Sequence, residues 1–596
     1  MFRRKLWIFT SILMVLVTVL ASCGDNTPTT TTPGTTTTVP GTTTPGTTPG
    51  TTTPGTTTPG TTTPAADPSK TPIYGGTAVF SAGASPTRWD PGELAHLAGH
   101  TMVQGLISGD WTKGPQGTKE FPWDQQTIPE SFLVPYLSES IEITGKFTVV
   151  HHLRKGITYN SNNDAVPGVG REMVADDFVK ALVRTQAMPK SIIYRATGEA
   201  DKNYVKARAI DKYTLEITNP TPILNISTGS ANALAYPPEA VQKFGNLEDW
   251  RNNVGTGPFL VTDFVPDSSI SYARNPTYWE VDPLRPQYKM PYVDAMRSIV
   301  IVDPATQMAA AQTGKVLTYG TTRDRGEFLI KNSKQLKYLT RPENYNVVVF
   351  LNLKNPLFQN LQVRRALAIA IDRKSILKDF MQGQGALFAW PLWSSVGNDV
   401  FTPLDQMPAD VQELYDFNPT KAKQMLATEG YPAGFKVELL SPQVEAYVDR
   451  ANIVKTYWDA IGVQTTVNVI ESGTFYDRLY GKAYPDAAIV AWGNSSEVSA
   501  LGWAWRTGIL YNYGGVSDPK IDEAYTASQN ETDSVKRRAI YKAIYPYGAQ
   551  QAWEIALPQM VTYVFYQPYM HGYAGEYAAI SHHIWIDPVL KAQMGH

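Results

Sequence analysis

From residue 145 onward the chain alternates between two hydrophobic periods. Phe147 to Leu153 repeats in steps of two, as a strand does when successive side chains face opposite sides. Arg154-Lys155-Gly156 then turns it into a second extended piece, Ile157-Thr158-Tyr159. Near Asp176 the period changes. Phe178, Ala181 and Leu182 fall three and four apart, which places them on one helical face. Asp176-Asp177 supply a cap and negative charge at the start of that helix. Val347 to Leu351 is a continuous apolar run, the mark of a buried strand, and the helix after it turns Val363, Ala366, Leu367 and Ala370 inward. Asn418-Pro419 opens another helix, Gly430 closes it and Pro432 blocks its continuation. The stripe Ile453, Val454, Tyr457, Trp458 ends at Gly462, and Val463, Thr465, Val467 and Val469 alternate as a strand. Strands and helices in this rotation predict an α/β body with sheets covered by helices.

The first 70 residues follow neither period. Arg3, Arg4 and Lys5 precede an apolar run from Leu6 to Leu20, and then come Ala21, Ser22 and Cys23. A basic start, a short apolar core and small residues before a cut site describe an export signal. The run is short for a membrane span, which needs about 20 residues. Leu20-Ala21-Ser22-Cys23 resembles a bacterial lipobox, which implies cleavage before Cys23 and acylation of its sulfur; two acyl chains hold a protein at a bilayer where one does so only marginally. From Thr27 to Pro64 the chain is almost wholly Thr, Pro and Gly, with TTTPG recurring, no charge and Val39 as the one aliphatic residue. Such a segment cannot bury enough apolar surface to offset backbone ordering. It reads as an extended stalk, at most about 3.1 Å per residue.

Composition narrows the function of the rest. Net charge is −2, from 52 basic and 54 acidic side chains, so nothing points to nucleic acid or a charged membrane surface. Cys23 is the only cysteine in 596 residues, which excludes disulfides and thiolate metal sites from the body. Of the eight histidines, none forms an HExxH pair. His151 and His152 fall on the Phe147–Leu153 strand and read as locally satisfied; His582 and His583, if on a strand, point to opposite faces. No nucleophile elbow, P-loop or GxGxxG occurs, and Val254-Gly255-Thr256-Gly257-Pro258 reads as a turn, because Pro258 removes a donor. The 14 Trp, 32 Tyr and 20 Phe suit a core and equally an aromatic ligand cleft.

Five short segments then follow in a fixed order: Trp89-Asp90-Pro91; Pro135-Tyr136-Leu137-Ser138-Glu139-Ser140; Phe147 to Gly156 with Ala175-Asp176-Asp177-Phe178; Gly255 to Phe259 with Arg274-Asn275-Pro276-Thr277-Tyr278-Trp279; and Asn352 to Phe358 with Val363 to Leu367 and Ala370 to Arg373. In this order they resemble the family 5 extracellular solute-binding proteins of bacterial ABC importers, the oligopeptide- and dipeptide-binding type, with Trp89 in place of the usual Leu and Ser138 in place of Ala. The resemblance implies an α/β, two-lobed fold of the periplasmic-binding-protein type II kind, with an extra inserted domain and a hinge that closes the lobes on a ligand. The chain then divides as signal peptide 1–22, lipidated cysteine and linker 23–70, lobe I 71–112, inserted domain 113–232, lobe I again 233–344, lobe II 345–553 and a return to lobe I at 554–596. It also implies a monomer, anchored to the outer face of the cytoplasmic membrane through Cys23, that passes a peptide or similar solute to a permease. It performs no reaction and carries no cofactor or metal.

In peptide-binding members an aspartate just after a Trp-Gly-like turn pairs with the ligand's ammonium group. Here the stretch is Ala491-Trp492-Gly493-Asn494-Ser495-Ser496-Glu497. Asn494 or Ser495 stands near the expected place, and Glu497 is displaced by two or three residues. A buried ammonium with no carboxylate partner is costly, so the departure leaves the ligand open between a peptide and another solute of similar size. Trp390 and Trp393 form one aromatic cluster; Trp503, Trp505 and Arg506 form another, close to Tyr511-Asn512-Tyr513. Flat rings with Asn and Arg between them suit sugar rings as well as peptide side chains. The candidate ligand residues are therefore Trp390, Trp393, Trp492, Asn494, Glu497, Trp503, Trp505 and Arg506. A core position for Trp503 and Trp505, two apart on one strand face, stands beside the cleft reading. An oligosaccharide receptor of the same family, and a secreted hydrolase from another class, remain the alternatives.

Overall fold

The computed structural model describes residues 71–596 apart from 87, 93–102, 124–127, 189–204, 221, 225–232, 344, 398, 494–497, 499, 510 and 577–581. Cys23 and the stalk therefore lie outside the described residues, as do Asn494 and Glu497. The body is a mixed α/β protein of two lobes.

Lobe II is organised by a five-stranded sheet ordered Gln464–Ile470, Lys436–Pro442, Ala487–Trp492, Asn346–Leu351, Glu554–Ala556. Asn346–Leu351, the predicted apolar strand, is buried along its whole length. Each apolar side chain removed from water there contributes roughly 1.5–3 kcal/mol. Helices cover the sheet. Leu361–Ile369 buries the predicted inward face, Pro419–Thr428 is capped by the Asn418 side chain on Lys421 N, and Glu445–Ala460 carries Trp458 into the core, where its indole donates to Leu367 O at 3.1 Å. Every fully buried apolar residue of this core lies between Val347 and Leu557.

Lobe I is pieced together from distant segments. Thr77–Ala82 pairs in parallel with Ala295–Val300, and Ser269–Arg274 and Phe259–Val265 complete that sheet. Val561–Tyr566 is the central strand of a three-stranded sheet, between Thr318–Thr321 and Lys337–Pro342. A further sheet, Ser138–Gly145, Thr148–Leu153, Thr214–Thr218, Lys206–Ala209, packs under the helix Ala175–Ala187 around its own core. The extended piece Ile157–Tyr159 is held by isolated bridges from Thr158 to Glu172 and from Asn160 to Gly255 rather than in a longer ladder, with Tyr159 N donating to Arg171 O at 3.0 Å and Met173 N to Ile157 O at 2.8 Å. His151 meets Ser138 Oγ at 3.0 Å and His152 lies 3.3 Å from Glu142, both local partners. The buried Asp90 binds Arg184 and accepts from Gly92 N and Leu247 N.

Two segments join the lobes. Lys337–Pro342 runs on through 343–345 into Asn346–Leu351, and Glu554–Ala556 runs on through 557–560 into Val561–Tyr566. They are tied together: Glu343 N donates to Met560 O at 2.9 Å, and Gln559 Nε2 donates to Glu343 O at 2.7 Å. Away from this hinge the lobes touch again. Arg537 Nη2 donates to Glu130 Oε2 at 2.9 Å, Arg323 Nη1 to Phe380 O at 2.8 Å and Lys146 Nζ to Asn530 Oδ1 at 3.3 Å.

Candidate ligand site

The direction of the lobe II strands sets the site. Gln464–Ile470, Lys436–Pro442, Ala487–Trp492 and Glu554–Ala556 run parallel; only Asn346–Leu351 opposes them. One sheet edge thus carries four carboxyl ends, at Pro442, Ile470, Trp492 and Ala556, and the amino end at Asn346. Both hinge segments leave from this edge, so it faces lobe I. The crevice beyond the carboxyl ends of such strands is where an α/β sheet takes its ligand.

Aromatic rings crowd that edge. Trp492 meets Tyr513 at 4.9 Å, Tyr511 at 5.7 Å, and Phe350 and Trp390 at 6.2 Å between ring centroids, mostly edge to face. Tyr480 joins Tyr513 at 5.9 Å. Among the rings lie polar atoms without partners. Asn346, opposite Trp492 in register, is 1 % exposed, and neither its amide oxygen nor its amide nitrogen has a hydrogen bond; nor has the Trp492 indole N–H. Leaving each such group buried and unpaired costs about 1–3 kcal/mol. The hinge adds Glu343, whose carboxyl is pushed up by burial although Arg450 nearby opposes the shift. Burial likewise drives the Tyr447 phenol up to about 12.

Behind the rings lies a small cavity, with about 30 Å³ of room for water, lined by Arg373, Trp390, Tyr415, Trp505 and Glu554. Burial raises the Glu554 carboxyl to about 7, although Trp505 donates to its Oε2 at 2.9 Å and lowers it in part. Arg373 is buried with its guanidinium on three carbonyls, Ala556 O, Ala368 O and Leu414 O, at 2.7–3.0 Å.

The candidate residues separate accordingly. Trp390 and Trp492 are brought together, both packed on Phe350, and Trp393 is buried near Trp390 in the chain. Trp503 is 42 % exposed and reaches the cluster through Tyr511 at 5.6 Å. Trp505 is 1 % exposed and packs behind it against Tyr545 and Trp553. The two do not share a strand face: Ala500–Trp505 is a helical turn, which sends them apart. Arg506 turns away and stacks over Tyr525 at 4.6 Å. Asn512 braces its own turn by exchanging bonds with Val516. Asn346 was not among the candidates, though the sequence carries a sign of it, a lone amide opening the apolar run Val347–Leu351.

A two-lobed body with aromatic rings and unpaired polar groups at the sheet edge beside the hinge is the architecture of a solute-binding protein. The profile of the bacterial extracellular solute-binding proteins, family 5 middle region, matches residues 133–508, and the chain belongs to that family. Its relatives include a di/tripeptide-binding protein of Pseudomonas aeruginosa, 23 % identical over 494 residues, covering 78 % of this chain and 85 % of the relative. They also include the heme-binding protein A of Haemophilus influenzae, 27 % identical over 372 residues, covering 58 % of this chain and 63 % of the relative. Among solved structures, the oligopeptide-binding protein AppA of Bacillus subtilis in complex with a nonapeptide has the same fold, with a TM-score of 0.63, 18 % identity and coverage of 87 % of this chain and all of the other. These relatives are binding proteins rather than enzymes. No helix among the described residues is long and apolar enough to cross a membrane.

Proposed function

We propose that the chain is the lipid-anchored receptor of an importer for oligopeptides: acylated at Cys23, lifted on the 27–64 stalk, closing its lobes on a peptide and delivering it to a permease. The divisions given above belong to the same reading, with an inserted domain over 113–232 and with lobe II, placed at 345–553 from the sequence, carried on through its fifth strand, Glu554–Ala556. So do a monomeric state and a place on the outer face of the cytoplasmic membrane.

The observation that carries the peptide reading is the unpaired carboxamide of Asn346 beside the unpaired indole N–H of Trp492. An amide offers one donor face and one acceptor, the pair an extended peptide backbone presents in return. The surrounding Tyr and Trp faces give room for side chains without demanding particular ones. The relatives named for peptides point the same way.

Calorimetry with a mixed pool of short peptides, against a mixed pool of oligosaccharides, tests the reading. Heat is expected with peptides, and Asn346→Ala is expected to weaken binding at least about tenfold, the equivalent of one buried hydrogen-bonded group. Its melting temperature should not fall, because the amide makes no bond in the free protein. Heat with oligosaccharides alone would overturn the peptide assignment.

A further inference from the structure

On the lobe I side, far along the chain from Asn346, one group of three potential metal-binding side chains occurs among the described residues. Glu280, His582 and His583 place their donor atoms within 4.8 Å of one another. The histidine pair sits in a turn just before the short strand Trp585–Ile586, so the two rings lie on the same side, 4.1 Å apart, and not on opposite faces as a strand would hold them. His582 Nε2 is 3.6 Å from Glu280 Oε2. That separation is too long for a hydrogen bond. It is close to the donor–donor edge of a tetrahedron with zinc-type bonds of 2.0–2.2 Å, which is about 3.4 Å. His583 is 4 % exposed, and its Nε2 has no hydrogen-bond partner.

The surroundings are those of a built site. Glu280 is held by two phenols, Tyr136 Oη at 2.8 Å and Tyr278 Oη, and Gln104 Nε2 donates to both phenols in turn. Partners of this kind orient a ligating carboxylate. Trp111 packs against the His583 ring at 3.7 Å. Arg154 and Arg285 lie within reach of the group, and Asp282 holds Arg285 at 2.9 Å. His582 is less enclosed than its neighbour, its side chain 17 % exposed.

We infer that Glu280, His582 and His583 form a binding site for a divalent d-block cation of the zinc type. Two imidazoles and one carboxylate select such an ion over calcium or magnesium, which prefer all-oxygen shells, and three protein donors leave one coordination position for water. In a body without cysteines the ion would clamp the C-terminal segment, through His582 and His583, to the segment of Glu280 and, through Tyr136, to the sheet that begins at Ser138. The site is independent of the peptide reading.

The test is titration of the purified, untagged full chain, treated first with chelator, with Zn²⁺ by calorimetry and Co²⁺ by visible absorption. One ion per chain, with the intense bands of four-coordinate Co²⁺ and a higher melting temperature, is expected. Glu280→Gln, which keeps volume and phenol partners, and His583→Ala are each expected to lower affinity at least about a hundredfold, and Tyr278→Phe about ten- to a hundredfold. Should His583→Ala not fold, Glu280→Gln and Tyr278→Phe carry the test. No saturable binding, or binding that all three variants leave unchanged, overturns the site.

Discussion

Two buried carboxyl groups, one in each lobe, respond to burial in opposite ways. In lobe I, Asp90 is drawn to a cation: burial works against its charge, but Arg184 and the N–H groups of Leu247 and Gly92 more than offset it, so its pKa is lowered. In lobe II, Glu554 sits in a small cavity beside Trp505 with Oε1 unpaired, and burial wins, raising it to about 7. The lobes differ in chain path as well. The lobe II core takes its residues from one unbroken stretch, Val347 to Leu557, whereas a lobe I core joins Ala78 and Trp89 to Val564 and Ile586. Lobe II can be complete before the C-terminal residues exist; lobe I cannot, because its central strand Val561–Tyr566 comes near the end. A half with a core drawn from one stretch and a half with a core gathered from the whole body are separable units, and that separation can be broken experimentally.

The largest effect is expected from Arg373→Ala. It strips a buried cation from three carbonyls, at about 1–3 kcal/mol for each group left unpaired, and opens a hole, for a total of about 4 kcal/mol or more. Hydrogen exchange should show lobe II opening while the protection of lobe I holds. Equal loss across both lobes would end the view that they are separate units.

Next come the opposed pH responses. The folded pKa of Glu554 exceeds the unfolded value of about 4.5, so folded lobe II binds its proton more tightly. The stabilisation is complete below about pH 4.5 and is lost as pH rises to about 7, by on the order of 3 kcal/mol. Asp90 has the reverse sign: its contribution is present above its unfolded value and is lost as pH falls through the lowered folded one. Glu554→Gln should flatten lobe II unfolding between pH 4.5 and 7, and Asp90→Asn should flatten only the acid limb of lobe I. Denaturant melts at several pH values, read lobe by lobe, decide this, and a Glu554→Gln protein with an unchanged pH profile would refute the assignment.

The smallest effect concerns contact between the lobes. Glu130→Gln weakens the link to Arg537, which is partly exposed on the glutamate side, by about 1 kcal/mol or less. Solution scattering should show a slightly more open average shape for the ligand-free protein, with each lobe unchanged in stability.

How far the sequence exposed all this follows the same division. Helices and strands of lobe II that carry their own punctuation, such as Asn418-Pro419 with Gly430 or the Val347–Leu351 run, could be read locally. So could the family, from five spaced segments. The pairing of Thr77–Ala82 with Ala295–Val300 could not, since partners more than 200 residues apart leave no periodic mark on either strand. Trp390 and Trp492, proposed as cleft residues, come together because both pack on Phe350. Trp503 and Trp505 misled, because spacing by two signals a shared face only in a strand and the chain turns helical there. Asn346, proposed above as a ligand group, was invisible in the sequence because its significance lies in what fails to bond with it, which only three dimensions reveal. His582 and His583 came together for a similar reason: a turn, not a strand, determines which way adjacent rings look.

The cross-tied pair of segments between the halves has a mechanical consequence. Gln559 exchanges two backbone bonds with Ala386 on one side and grips Glu343 O on the other, so the connecting ribbon resists sliding and twisting and leaves bending as its soft direction. A door hung on such a ribbon swings along a single arc. The outer rims of the two halves can therefore arrive at only one mutual arrangement when shut, and a membrane partner that recognises that arrangement need not recognise the cargo.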